Sequence, residues 1–266
     1  MRRLIFAAAG LTAVAGCAVA GCSSATSSSP AASTTTRSIG VSTSGSITVF
    51  AAASLQSSFT ELGKQFEALH PGSKVTFSFG PSSGLATQII NGAPADVFAS
   101  AAVKNMDQVV SAGKAAGASD FAKNKMEIAV PPSNPGHVSS VHSLAKSSVK
   151  VAVCQPQVPC GVVAKKVFSK AKVSVTPVTL ETDVKSVLTK VELGDVDAGM
   201  VYVTDVKAAG SKVRGVAIPS SQNATTTYPI ATISKSSHAS TARAFVNYVM
   251  SPAGEKVLAA DGFEKP

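Results

Sequence analysis

Small polar residues stand where four stretches of strand-like sequence give way to helix-like sequence. They are Ala53-Ser54, Ser82-Ser83-Gly84, Pro159-Cys160-Gly161 and Thr182-Asp183-Val184. Each junction offers backbone N–H groups with no acceptor inside the helix, at the end where the helix dipole is positive. Helix N-termini are natural anion sites, and open α/β sheets bind ligands beyond the carboxyl ends of their strands. Any one junction taken alone is more often a plain helix cap. Four in one chain suggest a cleft for an anion.

A second chemistry overlaps the first. Gly80-Pro81-Ser82-Ser83-Gly84 fits G-x-S-x-G, the nucleophile elbow of α/β hydrolases. Asp205 and His238 follow in the order a triad would need, though nothing around them forms a hydrolase signature. A secreted serine hydrolase is therefore the rival from another class. An ester-hydrolysis assay on the Ser82→Ala protein separates the two. His70, His137, His142 and His238 show no spacing such as H-x-x-x-H, so a metal site has no sequence support.

The cysteines divide into two pairs. Arg2-Arg3 is followed by the apolar stretch Leu4 to Val14, too short to span a membrane and suited to a secretory signal. Val19-Ala20-Gly21-Cys22 then resembles the lipobox cut by lipoprotein signal peptidase, with Cys22 as the acylated residue. Val14-Ala15-Gly16-Cys17 also fits. Cys22 is preferred because polar sequence begins directly after it. Residues 1–21 are thus expected to be a lipoprotein signal peptide. Residues 22–45, mostly Ser, Thr, Ala and Gly, are read as a flexible tether, since they cannot bury enough apolar surface to offset ordering. Cys154 and Cys160 lie in a chain bound for an oxidising compartment, which predicts a disulfide. The alternative is two reduced thiols packed as small apolar residues.

The elements that must position these residues alternate. Strand-like runs lie at Ser46 to Ala52, Lys74 to Phe79, Ala95 to Ala99, Met126 to Val130, Val149 to Cys154, Asp197 to Val203, Val213 to Ile218 and Tyr228 to Ile233. Helix-like runs follow several of them. The first has Ser54 as its expected cap and Leu55, Phe59, Leu62, Phe66 and Leu69 on one apolar stripe. Others cover about Ser83 to Asn91, Gly161 to Ala171, Asp183 to Gly194, Ala239 to Met250 and Pro252 to Ala260. The alternation argues for α/β architecture with mostly parallel sheets flanked by helices. With 266 residues, 45% hydrophobic, the chain is long enough for two α/β lobes. It has no Trp and only 5% aromatic residues, so its core must be mostly Val, Ala, Leu and Ile. Removing Arg2 and Arg3 with the leader lowers the formal net charge from +9 to +7. That excess permits attraction to anions or anionic lipid, or is simply a solvated surface. No basic run is interleaved with aromatics, so nucleic acid is not an expected partner.

Longer motifs in order along the chain carry a family resemblance. They are Ile47-Thr48-Val49-Phe50-Ala51-Ala52-Ala53-Ser54-Leu55, Ser78-Phe79-Gly80-Pro81-Ser82-Ser83-Gly84-Leu85-Ala86, and Gly92-Ala93-Pro94-Ala95-Asp96-Val97-Phe98. Val158-Pro159-Cys160-Gly161, Gly199-Met200-Val201-Tyr202 and the closing Asp261-Gly262-Phe263 complete the set. From Ile47 to the C-terminus the chain resembles the molybdate-binding proteins of bacterial ABC importers, in lipoprotein form. The resemblance implies a type II periplasmic-binding-protein fold with the ligand between two lobes. Lobe 1 would hold residues 46–124 and 229–266, and lobe 2 residues 125–228. It implies capture of molybdate, and of tungstate too, for delivery to an ABC permease. It implies no catalysis, no cofactor, no direct protein–metal ligand, a monomer, and attachment to the cell membrane through the lipid on Cys22.

The resemblance also implies the ligand set: Ser54 and Ser82 through hydroxyl and backbone N–H, Cys160 and Val184 through backbone N–H, and Tyr202 through its hydroxyl. Cys160 stands where the family often has alanine, and Gly80-Pro81 replaces the usual Ala-Ser before Ser82. The chemistry agrees with the set. Molybdate at neutral pH is an acceptor-only dianion, and these positions include no carboxylate. Sulfate is acceptor-only as well, so a sulfate or other oxyanion receptor is the nearer alternative, separated from molybdate by cavity size rather than charge.

Overall fold

The computed structural model describes residues 44–266; the expected signal peptide, Cys22 and nearly all of the tether lie outside the described residues. The chain begins with a strand, β1 (Gly45–Ala52), built from the apolar run around Val49. A 3-10 turn, Ala53–Leu55, leads into α1 (Gln56–Leu69). Leu55, Phe59, Leu62 and Phe66 form the buried stripe, but Leu69 is 62% exposed, because the helix ends there and His70 turns the chain away. There follow β2 (Ser73–Gly80), α2 (Ser82–Ile90), β3 (Val97–Ala99) and α3 (Val103–Ser111).

The next strand, β4 (Ser119–Val130), is twelve residues long. The sequence predicts only its second half. Residues 119–125 read SDFAKNK and lack an apolar run; they become a strand through pairing with a distant segment, not through local pattern. Then come β5 (Val151–Cys154), α4 (Pro159–Ala171), β6 (Thr179–Glu181), α5 (Val184–Glu192), β7 (Ala198–Tyr202), α6 (Val203–Ala209) and β8 (Arg214–Val216). The chain closes with β9 (Thr225–Thr232), α7 (Ala239–Val249) and α8 (Pro252–Asp261).

The strands join in the order β2-β1-β3-β9-β4-β7-β5-β6, with β8 beside β4. Pairing is parallel in β1–β2, β1–β3, β5–β6 and β5–β7. It is antiparallel wherever β4 or β9 takes part. The sheet is therefore mixed: parallel in each flank, as the alternation predicts, and antiparallel at the two strands that carry the chain between flanks. Lys125 of β4 still pairs with β9, whereas the next residue, Met126, pairs with Tyr202 of β7.

The buried apolar side chains follow the same division. One core runs from Met126 to Ala224 and is rich in Val. Two others draw on residues 47–122 and 228–263, one of them centred on Phe59, Phe66 and Phe245. Phe66 and Phe245 meet edge to face at 5.4 Å, a favourable aromatic geometry. The closing Asp261-Gly262-Phe263 belongs to the core around Phe59. Asp261 accepts the Ser58 hydroxyl of α1 at 2.6 Å, Gly262 takes the left-handed φ of +100° that ends α8, and Phe263 packs edge-on against Tyr228.

Candidate anion-binding site

Where β1 and β2 end side by side, Ala52 pairs with Gly80. The chain leaves the two strands through Ser54 and Ser82, at the entrances to α1 and α2. On the other flank, α4 opens at Pro159-Cys160 and α5 opens at Val184. Gly199 explains how α5 reaches this place: a Cβ there would press into Val187 and Val191, so only glycine lets α5 lie so close on β7. Tyr202 ends β7.

All five positions meet. Ser54, Ser82, Cys160, Val184 and Tyr202 line one narrow cavity, with Ala52, Ala53, Gly80, Pro81, Ala101, Val158, Pro159 and Asp183. About 20 Å³ of it is open to the centre of a water-sized sphere, room for a single small species. A much wider groove of about 790 Å³ between α1 and α8 is open to solvent and contains none of the five.

The hydrogen bonds around the cavity leave several of its donors unused. Ser82 is 1% exposed, and its Oγ accepts the Ala101 N–H at 2.9 Å. A backbone N–H can only donate, so the Ser82 proton remains for another acceptor. The Tyr202 hydroxyl is buried beside Tyr228 and makes no hydrogen bond of good geometry among the described residues. Burial pushes its phenol well above the usual range, so it stays an O–H donor. The N–H groups at the openings of α2, α4 and α5 have no acceptor within their helices. Asp183 is the carboxylate on the cavity wall, and its Oδ1 already accepts from Ser186 N at 2.9 Å as the cap of α5.

Ser54 corrects one expectation. Its hydroxyl does not cap a helix; it lies 2.9 Å from the Tyr228 hydroxyl. The 3-10 turn before α1 places Ser54 ahead of the helix proper and turns its side chain toward β9. Cys160 is bonded to Cys154, with Cα atoms 5.7 Å apart. The loop between them folds over the next residue so tightly that a Cβ at Gly161 would collide with the carbonyl oxygens of Gln155 and Cys154.

Behind Tyr202 lies a buried charge. Asp205 Oδ2 accepts the Tyr202 N–H at 3.0 Å, and Lys185 Nζ stands 3.0 Å from Oδ1. Burial raises the Asp205 carboxyl above its ordinary range, against the opposing pull of Lys185. Sequence reasoning places neither Lys185 nor Tyr228 at the site. Tyr228 is 174 residues from Ser54, so no local spacing could reveal the contact.

The hydrolase reading fails on geometry. His238 packs against Gly45, at the start of β1, whereas Ser82 lies beyond the opposite end of β1 and β2. Seven strand steps separate those ends, roughly 20 Å. Asp205 is engaged with Tyr202 and Lys185, and no histidine lines the cavity. Among the described residues, no cluster of His, Cys, Asp and Glu could hold a metal ion.

The family of bacterial extracellular solute-binding proteins matches residues 47–264. The chain belongs to that family. It is 44% identical over 222 residues to the molybdate-binding protein ModA of Mycobacterium tuberculosis, covering 83% of this chain and 85% of the relative. It is 31% identical over 230 residues to the molybdate-binding protein ModA of Escherichia coli, covering 82% of this chain and 89% of the relative. The solved periplasmic molybdate-binding protein of Azotobacter vinelandii superposes with a TM-score of 0.73, over 83% of this chain and 99% of that one; at 22% identity this speaks for the fold. Among the described residues of this family member, no helix is long and apolar enough to cross a membrane.

Proposed function

We propose that this solute-binding protein captures molybdate outside the cytoplasm, takes tungstate as well, and delivers the anion to an ABC importer. The observation that carries the reading is the cavity in which Ser54, Ser82, Cys160, Val184 and Tyr202 converge, with the buried Tyr202 hydroxyl lacking a hydrogen bond of good geometry among the described residues. A buried donor without a partner costs free energy in the empty protein and is satisfied by an acceptor-only ligand. The helix openings add neutral dipoles that stabilise a dianion without an ordered Lys or Arg. The relatives named for molybdate binding support the choice of anion.

In this reading Ser54 and Ser82 donate through hydroxyl and backbone N–H, Cys160 and Val184 through backbone N–H, and Tyr202 through its hydroxyl. The first lobe (residues 46–124 and 229–266) supplies the serines, and the second (125–228) supplies the rest. The open protein admits the anion, and a hinge at β4 and β9 closes the lobes around it. The closed form docks on the permease as a monomer. The molybdenum is cargo and touches the protein only through its oxygens.

Calorimetric titration with molybdate, tungstate and sulfate tests the assignment. Submicromolar molybdate binding with much weaker sulfate is expected. Equal affinity for sulfate would overturn the assignment in favour of a sulfate receptor. The proposed anchor is a lipid on Cys22, with residues 22–45 as its tether. Mass spectrometry of the mature protein should find an acylated Cys22, and Cys22→Ser should release the protein or leave it unprocessed. An acylated Cys17 or an unmodified N-terminus would contradict the Cys22 assignment.

A further inference from the structure

The anion cavity has a buried negative charge behind its wall. Asp205 is 0% exposed, and its Oδ2 accepts the N–H of Tyr202, a wall residue, at 3.0 Å. A carboxylate so placed repels a dianion. Against it stands the Lys185 ammonium, 3.0 Å from Oδ1. We propose that Lys185 is an affinity-determining residue of the anion site, one that cancels the Asp205 charge so that a dianion can be held beside Tyr202. The inference rests on the reading that the cavity takes a tetrahedral dianion.

The fold brings the pair together at the cavity. Lys185 lies in the first turn of α5, directly after Val184 of the wall. Asp205 lies in the first turn of α6, three residues after Tyr202. Gly199 lets α5 lie close on β7, the strand that ends at Tyr202, and so puts the lysine within reach of the carboxylate. Among the described residues, Lys185 is the ion-pair partner that Asp205 has. The ammonium and the Tyr202 N–H both favour the ionised carboxylate, against the burial that disfavours it.

Charge acts over longer distances in a buried site than in water. The Tyr202 phenol registers this: burial raises it most, and the Tyr228 phenol and the Asp205 charge raise it further. A dianion at that hydroxyl meets the same field. The wall holds no Lys or Arg, and it already includes Asp183, engaged at the opening of α5. A second carboxylate left without a counter-charge would add to the repulsion. Lys185 is not a wall residue, so its contribution is charge rather than contact.

The test is a charge cycle read by molybdate titration at low ionic strength and mildly alkaline pH, where Asp205 stays ionised. Lys185→Met should weaken binding about tenfold or more. The double variant Lys185→Met, Asp205→Asn should regain most of that loss, because no charge is left to cancel. Asp205→Asn alone leaves the ammonium unopposed and should bind more tightly than the double variant. A pair that only braces the structure gives another pattern: both single variants weaken, and the double variant is at least as weak as Lys185→Met. That pattern, or full affinity in Lys185→Met, would overturn the proposal. Thermal unfolding verifies that each variant is folded. The variants without Asp205 bury no unpaired carboxylate, so they decide the matter even where Lys185→Met does not fold. Equal affinity in Asp205→Asn and the double variant would then refute a role for the lysine charge. Failure of the unmodified protein to bind molybdate would refute the functional assignment itself, whereas tight binding with the bracing pattern would refute only the role of Lys185.

Discussion

Cys160 is both half of the Cys154–Cys160 disulfide and a first-turn residue of α4 on the wall of the anion cavity. The bond closes a short loop that also packs directly on Gly161. Replacing both cysteines with Ala should cost about 2–2.5 kcal/mol through unfolded-chain entropy. Molybdate affinity should fall as well, because the α4 opening is no longer held in place. Chemical denaturation and calorimetry on the double variant measure the two effects. Unchanged affinity would confine the disulfide to stability, and free thiols in peptide mapping without reductant would remove it altogether.

Tyr202→Phe separates binding from folding. The hydroxyl it removes is buried without a hydrogen bond of good geometry, so the empty protein should be unaffected or slightly more stable. Molybdate affinity should drop about ten- to a hundredfold, the worth of a hydrogen bond to a charged group. A variant that lost stability and kept affinity would show that Tyr202 is only a core aromatic.

The two serines should behave differently from helix caps. Ser54→Ala and Ser82→Ala each remove a donor, for a loss of about ten- to a hundredfold in molybdate affinity. Each also strands a buried partner, the Tyr228 hydroxyl or the Ala101 N–H, at a stability cost of about 1–3 kcal/mol. Thermal unfolding with and without molybdate reads both. Full affinity in both variants would take the serines out of the site.

Asp205 should leave a signature in the pH dependence of stability. Its carboxyl is raised by burial, so the folded protein holds that proton more tightly than the unfolded chain. The associated stability is fully present below the ordinary aspartate value of about 3.9, and declines as pH rises from there through the raised value. Asp205→Asn keeps an oxygen for the Tyr202 N–H and should flatten that decline. Glu127, also raised by burial, leaves a residual slope of the same sign. Parallel melting-temperature curves for the two proteins would contradict the assignment.

The motifs along the sequence carried the family, the alternation of strands and helices, and all five positions that line the cavity. Those signals are local: a small residue at a strand–helix junction is written in a few adjacent positions, and so is the apolar stripe of Leu55, Phe59, Leu62 and Phe66. The first half of β4 was not legible, because residues 119–125 are strand only by virtue of pairing with β9, more than a hundred residues later. Nor were the partners of the site. Ser54 looks like a cap in sequence and is instead bound to Tyr228; Asp205 looks like a triad member and instead supports Tyr202. Which residue a hydroxyl meets depends on how distant strands register and how deeply the side chains are buried, and no local pattern encodes either. The sequence determined which groups could serve an anion; the tertiary structure decided which distant residues each of them meets.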